Sequence, residues 1–432
     1  MGRPSAGSRS GVREFHASQP TDIVVGSGIV ERSGSYAASF GMRALVVVGE
    51  SSARASGLLG RVEASLRDQG VAFELLEGVG PNPGVAVVDA GATLARAWRA
   101  DLVLALGGGS VVDVAKAIAT SAAAHQPRSF ADHLSGRRAS DLVVDAALPI
   151  VALPTLPGSG SESNGTSVIT DLETGRKLSA HSDLAAPRVA LIDPDLLLDA
   201  PRDLVAPGLV DAWCHALEAS LSERATPASD ALAEQALRVL GRVGADPLDE
   251  DLDDATRLDA IARCWLATNH AGQALTLAGS IVTHPLAHAL SARLDARHGE
   301  AVAALEGAVL ATFADRFTAS PAISRVATWL DVRGAEHREA ALRAVLTRLA
   351  RYCGTLGVRS GVAELGLDEA MLADIVRDAR ASGSRGLTNL PGLEPTADEL
   401  FAVLDVALEC GPTTATRKLL ASVTDRTATG AS

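Results

Sequence analysis

Residues 101–119 read Asp-Leu-Val-Leu-Ala-Leu-Gly-Gly-Gly-Ser-Val-Val-Asp-Val-Ala-Lys-Ala-Ile-Ala. The apolar run 102–106 has the length and composition of a short buried strand, and the residues from Val111 onward have helical character. Glycines between the two let the backbone approach a ligand closely, and the amides at the start of a helix attract a phosphate. The stretch predicts a strand, a glycine-rich turn and a helix that together bind an anion. Taken alone, such a turn is as often structural, because it is not the G-x-G-x-x-G fingerprint.

The same alternation extends through the first part of the chain. Short apolar runs and helical stretches follow one another at 44–48, 54–69, 72–76, 84–100, 102–106 and from 111 onward. Alternating βαβ units predict an α/β domain over 21–199 with a doubly wound, mostly parallel, Rossmann-like sheet. A nucleotide is then expected at the carboxyl ends of the strands. Residues 166–177 predict a hairpin with its turn near 173–175.

The pattern changes near residue 200. Beyond it the chain shows long helical periodicity, rich in Ala, Leu and Arg, which predicts an all-α domain over 200–410. Residues 1–20 lack the apolar segment of a secretory signal, so we expect a disordered leader there. We also expect a tail over 411–432, which is rich in Thr, Ala and Ser.

Composition restricts the function classes. The 432 residues carry a net charge of −13, which argues against a nucleic-acid partner. No uncharged apolar run reaches the length of a membrane span, so no membrane partner is expected. The cysteines are scattered without a C-x-x-C pair, which indicates reduced thiols and a cytoplasmic location. They are Cys214, Cys264, Cys353 and Cys410.

Four side chains have the character of metal ligands. Asp211 and His215 stand four residues apart, so a helix places both on one face. His284 and His298 belong to a group of three histidines within fifteen residues, with His288 between them. The Asp-x-x-x-His pair alone is short and common on helix surfaces, but together with the glycine-rich turn it indicates a metal centre beside a nucleotide site.

Several ordered motifs carry a resemblance. They are Gly-Gly-Gly-Ser-Val-Val-Asp-Val-Ala-Lys (107–116), Pro-Thr-Leu-Pro-Gly-Ser-Gly-Ser-Glu (154–162), Leu-Ile-Asp-Pro (191–194), Asp-Ala-Trp-Cys-His-Ala-Leu-Glu (211–218) and Leu-Thr-Asn-Leu-Pro (387–391). With them the chain resembles the iron-containing (group III) alcohol dehydrogenase family over roughly residues 21–410. The resemblance implies a metal held by Asp211, His215, His284 and His298, which would be Fe2+ or Zn2+. It also implies that His288 lines the pocket and relays a proton or orients substrate; the alternative is a histidine packed beneath the metal ligands.

The resemblance further implies a nicotinamide cofactor. Its binding residues would be Gly49, Gly107, Gly108, Gly109, Ser110, Asp113, Thr155, Ser159 and Lys177. Two of these depart from the family pattern. Ser159 replaces a usual Thr, and Gly49 stands where many NAD-using relatives carry an Asp. Without that carboxylate the 2′-phosphate of NADP(H) is not repelled, so we expect NADP(H) over NAD(H). The adjacent carboxylate of Glu50 favours NAD(H) instead, and the only nearby cations in the sequence that could bind a 2′-phosphate are Arg43 and Arg54.

The function implied is hydride transfer between a nicotinamide and a small polar aldehyde or alcohol. An anionic, for example phosphonate-bearing, aldehyde is expected if Arg297, Arg385 or His181 faces the cleft. Two alternatives remain: a dehydroquinate-synthase-like cyclase that uses a metal and NAD, and a non-catalytic binding homologue. The resemblance also implies a homodimer.

Overall fold

The structure is a computed structural model. It describes residues 14–125, 129–134, 145–172, 176–332, 337–359, 361–382 and 384–409. Most of the predicted leader, the turn predicted at 173–175 and the predicted tail lie outside these residues. No helix in the described ranges has the length and apolar character needed to cross a membrane.

A six-stranded sheet organises the first part of the chain. Its strands and the helices around it are β1 (Asp22–Val25), α1 (Ser33–Ala38), β2 (Arg43–Gly49), α2 (Ser52–Ala55), α3 (Leu58–Asp68), β3 (Ala72–Val79), α4 (Val85–Trp98), β4 (Leu102–Gly107), α5 (Gly109–Ala123), α6 (Phe130–Leu134), β5 (Ile150–Pro154), β6 (Thr166–Asp171), β7 (Arg176–His181) and β8 (Val189–Ile192). The strand order is β1-β8-β5-β4-β2-β3, and each neighbouring pair is parallel. The predicted parallel sheet is confirmed.

Helices cover both faces of this sheet. Leu45 and Val47 of β2 point into one apolar core with α4 and α5, whereas Val46 and Val48 point into a second core with α3. Strands buried on both faces consist of nearly continuous apolar residues, which is why β2 and β4 read as short Val- and Leu-rich runs. The doubly wound arrangement follows from these two cores.

Two strands stand apart from the large sheet. β6 and β7 form an antiparallel hairpin, in which Thr166 pairs with His181 and Thr170 with Lys177. The hairpin packs against α5 and against α10 (Thr283–Leu294) of the second part of the chain. It therefore links the nucleotide-binding fold to the helices that follow.

The remainder of the described chain is helical. Its helices are α7 (Arg202–Leu221), α8 (Pro227–Val243), α9 (Asp254–Ala278), α10, α11 (His298–Thr312), α12 (Ala314–Ala319), α13 (Ala322–Trp329), α14 (Arg338–Leu356), α15 (Leu372–Ala381) and α16 (Ala397–Glu409). They share one apolar core, and α7 is buried along nearly its whole length. The sheet ends at Ile192 and α7 begins at Arg202, on either side of the domain boundary predicted near residue 200.

Candidate metal centre and cofactor cleft

Helix α7 presents the first two metal-ligand candidates. Asp211 and His215 lie one turn apart, and His215 Nε2 is 3.4 Å from Asp211 Oδ1. Both side chains are buried, although most of the other buried residues of α7 are apolar. A carboxylate and an imidazole in such surroundings need a partner that compensates for their lost hydration.

Two other helices bring the remaining candidates to the same point. His284 is the second residue of α10 and His298 the first residue of α11. Their Nε2 atoms lie 4.0 Å and 3.7 Å from Asp211 Oδ1. One ligand atom from each of Asp211, His215, His284 and His298 lies within 4.8 Å of all the others. The structure thus brings the predicted four residues together.

The donor set fits a divalent metal ion. Asp211 Oδ1 and His284 Nε2 are buried and accept or donate no hydrogen bond within the described residues. One carboxylate oxygen and three imidazole nitrogens are ligands that both iron and zinc accept. Burial lowers the pKa of His215 to about 4, and burial lowers the pKa of His298 well below its ordinary value. The imidazoles are therefore neutral, with a lone pair available for a cation.

A carboxyl group that sequence reasoning did not assign supports the third ligand. His284 Nδ1 lies 2.6 Å from Glu218 Oε1, and Glu218 Oε2 accepts a 2.8 Å hydrogen bond from the amide of Ile281. If Nε2 binds a metal ion, Nδ1 carries the hydrogen and would donate it to Glu218. A carboxylate in this position fixes the ring orientation and raises the basicity of the ligand.

A second carboxyl group lies behind the first. Glu218 and Glu306 are both fully buried, and burial is the main cause that raises the pKa of each well above its ordinary value. The sequence signals for Glu218 were its place at the end of the motif 211–218 and its spacing of seven residues from Asp211, two turns along α7. Glu306 carries no signal beyond being the one charged residue in the apolar run 301–310 of α11.

His288 stands beside the ligands without joining them. Its ring centroid is 4.9 Å from that of His298 and 6.0 Å from that of His284. Burial, followed by the nearby charge of Lys177, lowers the pKa of His288 well below its ordinary value. It is placed at the edge of the metal centre on the side of β7, and its predicted role stays a prediction.

The glycine-rich turn lies at the carboxyl edge of the sheet. Gly107 ends β4, and Gly108 precedes the first turn of α5, which includes Gly109 and Ser110. A Cβ on Gly107 would lie 2.5 Å from Val111 Cγ2, and one on Gly109 would lie 2.5 Å from Ser159 Oγ. Glycine is therefore required at Gly107, whereas a Cβ at Gly109 would displace the exposed Ser159 side chain. The first amides of α5 have no partner inside the helix, which leaves them able to bind an anion.

Three more predicted cofactor residues gather at this edge. Gly49 ends β2, next to β4 in the sheet. The Thr155 amide donates a 3.1 Å hydrogen bond to the Gly107 carbonyl, and the exposed Ser159 accepts one of 3.2 Å from the Ser161 amide. Gly49 is far from Thr155 and Ser159 in the sequence, but the fold brings all three together beside the first turn of α5.

Asp113 and Lys177 lie deeper. The carboxylate of Asp113 accepts hydrogen bonds from the Ser161 hydroxyl and from the amide of Val168 at 3.0 Å, so it ties α5 to the loop and hairpin after β5. Lys177 on β7 is buried, and burial lowers its pKa to about 8 while Asp113 and Asp211 oppose that shift. Lys177 is therefore close to both the cofactor loop and the metal centre.

Lys116 is a buried ammonium that sequence reasoning quoted without assigning a role. Its Nζ donates to Ser161 Oγ at 2.7 Å, to the Thr166 carbonyl at 2.6 Å and to Asn164 Oδ1 at 3.3 Å. It also lies 3.9 Å from Asp113 Oδ1. Burial lowers the pKa of Lys116 to about 8, against the attraction of Asp113. The network fixes the loop 161–166 against α5.

Comparison with known proteins agrees with this geometry. A family model for iron-containing alcohol dehydrogenase matches residues 20–194, and a model for the C-terminal part of the Fe-containing alcohol dehydrogenase family matches residues 205–407. NADH-dependent butanol dehydrogenase A of Clostridium acetobutylicum is 29% identical over 373 residues, which cover 85% of this chain and 94% of the relative.

Two further similarities concern aldehyde reductases. Phosphonoacetaldehyde reductase of Streptomyces viridochromogenes is 37% identical over 222 residues, which cover 50% of this chain and 54% of the relative. The crystal structure of sulfoacetaldehyde reductase from Bifidobacterium kashiwanohense in complex with NAD+ matches with a TM-score of 0.75 and 27% identity, over 92% of this chain and 99% of that chain. The chain therefore belongs to the iron-containing alcohol dehydrogenase family and is an oxidoreductase of the alcohol dehydrogenase type.

Proposed function

We propose that the chain is a metal-dependent, nicotinamide-linked reductase of a small aldehyde that carries an anionic group. The observation that supports this most is the position of the four metal-ligand candidates beside β7, which carries the buried ammonium group of Lys177. Lys177, Ser179 and His181 alternate along β7 and so share one face of the hairpin. The family membership supports the oxidoreductase chemistry, and the face of β7 supports the charge of the substrate.

The proposed chemistry divides between the metal centre and the residues around it. A divalent cation held by Asp211, His215, His284 and His298 would supply Lewis acidity to the carbonyl oxygen of the substrate. His288, adjacent to His284 and His298 and neutral, would deliver a proton towards that oxygen or hold the substrate in place. The glycine turn and the first amides of α5 would hold the pyrophosphate of the dinucleotide, which orients the nicotinamide towards the metal centre.

Two cationic side chains, Lys177 and Arg385, and the imidazole of His181 are candidates for binding the anionic group. Lys177 is the closest to the metal centre and His181 lies further along the same strand face, with its Nδ1 3.0 Å from Thr166 Oγ1. Arg385, on the turn Arg385–Thr388, is near enough for its charge to contribute to the lowered pKa of His181, of which burial is the first cause. Arg297 is not part of this group, because it lines a different cavity together with Asp203, to which none of the four metal-ligand candidates belongs.

For the cofactor we propose NADH in place of the NADP(H) expected from Gly49. Arg43 begins β2, at the opposite end of the strand from Gly49, and stacks on Trp98. Arg54 forms an ion pair of 2.8 Å with Glu77, so it is already neutralised. Neither arginine is therefore available for a 2′-phosphate. The butanol dehydrogenase relative is named as NADH-dependent, and the sulfoacetaldehyde reductase binds NAD+.

The test is the loss of reduced-nicotinamide absorbance with enzyme reconstituted with Fe2+ or Zn2+. Phosphonoacetaldehyde and sulfoacetaldehyde are compared with propanal, each with NADH and with NADPH. We expect the anionic aldehydes to have the higher kcat/KM and NADH to be the better donor. In Arg385→Met the KM for the anionic aldehydes should rise about tenfold, as expected for one lost charge-assisted contact.

Two controls separate the parts of this proposal. Arg297→Met removes an arginine that pairs with Asp203, so it should leave every KM unchanged. Turnover of all aldehydes should disappear in His284→Ala. Equal kcat/KM for propanal and the anionic aldehydes would contradict the proposed substrate class but leave the reductase assignment intact, whereas metal-independent turnover would contradict the role of the four ligands.

A further inference from the structure

A second cavity lies among the helices, apart from the metal centre. It has a volume of about 320 Å³, opens to the surface, and is lined by α7, α8 and the residues that follow α8, the end of α13, and α14. Trp213, Trp329 and Tyr352 contribute aromatic rings to its walls. None of the four metal-ligand candidates or the predicted cofactor residues lines it. Its volume is within the range of sites that bind small molecules.

The aromatic wall is preformed. The rings of Trp213 and Tyr352 are stacked, with centroids 6.2 Å apart and planes inclined by 30°. Gly244 makes room for Tyr352, because a Cβ on this glycine would lie 2.5 Å from the Tyr352 hydroxyl oxygen. Trp213 is only 1% exposed, so it holds the ring of Tyr352 in place, and Tyr352 and Trp329 contribute the apolar surface that a planar ligand can contact.

One polar group in the wall has no partner. Tyr352 is 9% exposed, and its hydroxyl forms no hydrogen bond within the described residues. A buried hydroxyl without a partner is costly, and buried polar groups are rarely left in that state. The hydroxyl is therefore available as a donor to a ligand in the cavity.

The rim of the cavity is basic in a chain whose net charge is −13. Two of the lining arginines form ion pairs with Asp331, Arg238 at 3.1 Å and Arg242 at 2.9 Å. The other two, Arg348 and Arg351, are exposed on α14 and form no ion pair with any described residue. Arg348 and Arg351 also line an adjoining hollow.

We propose that this cavity binds a small aromatic carboxylate. The aromatic ring of the ligand would pack against Tyr352 and Trp329, and Arg348 and Arg351 would bind its carboxylate, for which the guanidinium fork is well suited. The Tyr352 hydroxyl would donate a hydrogen bond to a polar atom of the ligand. Because Trp213 lies between Asp211 and His215 on α7, the ligand would contact the helix that carries two of the metal-ligand candidates. The proposal does not depend on the substrate of the enzyme.

The test is isothermal titration calorimetry of the metal-loaded enzyme with indole-3-acetate. The neutral indole-3-acetamide is the matched probe without the carboxylate. We expect one site per chain with a Kd below about 1 mM, and at least about tenfold weaker binding of the amide. The double variant Arg348→Met, Arg351→Met should lose at least about tenfold in affinity, since two charge-assisted contacts are removed.

Two variants check the fold and the position of the site. Arg343→Met changes an arginine on the same helix outside the cavity and should leave the affinity unchanged. Tyr352→Phe removes only the hydroxyl and should weaken binding by a few fold. No heat of binding up to about 1 mM probe, or an affinity that the double variant leaves unchanged, would overturn the proposal.

Discussion

Replacement of Glu218 by Gln should weaken metal binding without removing a metal ligand. The wild-type carboxylate uses one oxygen for His284 Nδ1 at 2.6 Å and the other for the Ile281 amide at 2.8 Å. A Gln side chain has a single acceptor oxygen, so Glu218→Gln can satisfy only one of these two donors. The loss of such a partner behind a ligating histidine costs about 10- to 100-fold in metal affinity, which corresponds to about 1.4 to 2.8 kcal/mol.

The assay is competition for Zn2+ between the protein and a chromophoric chelator at fixed pH, with the wild type measured in parallel. Glu162→Gln is the control, because Glu162 is also buried and hydrogen-bonded, to Asn269 at 2.6 Å, but does not contact a ligand candidate. We expect the control to retain the wild-type affinity. A zinc affinity of Glu218→Gln within about twofold of the wild type would refute the argument that Glu218 orients His284 for the metal.

Three further predictions concern residues around the cofactor cleft. Gly109→Ala should raise the KM for NADH at least about tenfold, because its Cβ would lie 2.5 Å from Ser159 Oγ. Adding Ser159→Gly to this variant should lower the KM most of the way back to the wild-type value. Lys116→Met should lower the free energy of unfolding in urea by about 3 kcal/mol, since it leaves a buried carboxylate without its cation; an unchanged midpoint would contradict this. Burial lowers the Lys177 pKa to about 8, so its charge is present below that pH and lost above it. The KM for an anionic aldehyde should therefore rise above pH 8, and this dependence should be absent in Lys177→Met.

Much of the fold could be predicted because the sheet is buried on both faces. Strands of this kind must be apolar throughout, so β2 and β4 are visible as short Val- and Leu-rich runs between helical stretches. Element ends were predicted less accurately. The helix expected over 54–69 is divided into α2 and α3, because Gly57 adopts a left-handed backbone with φ of 76° between them.

Some residues of the candidate metal centre could likewise be predicted from the sequence, and others could not. The i, i+4 spacing of Asp211 and His215 determines by itself that both face one side of a helix. Glu218 was visible as a residue of the same helix, but its role depends on His284, which lies on another helix 66 residues later. The roles of Glu306 and Lys116 were not predictable, because buried charged groups are recognised by their surroundings and not by their neighbours in sequence.

The sequence alone determined the alternation of strands and helices, the glycine turn before α5 and the identity of the four metal-ligand candidates. These properties depend on local backbone geometry and on residue chemistry. Only the tertiary structure decided that Lys177 is buried near both Asp113 and Asp211, and that Trp213, Arg348 and Tyr352 line a second cavity. The physical reason is that burial and the distances between charges depend on helix packing, which brings together residues far apart in the chain.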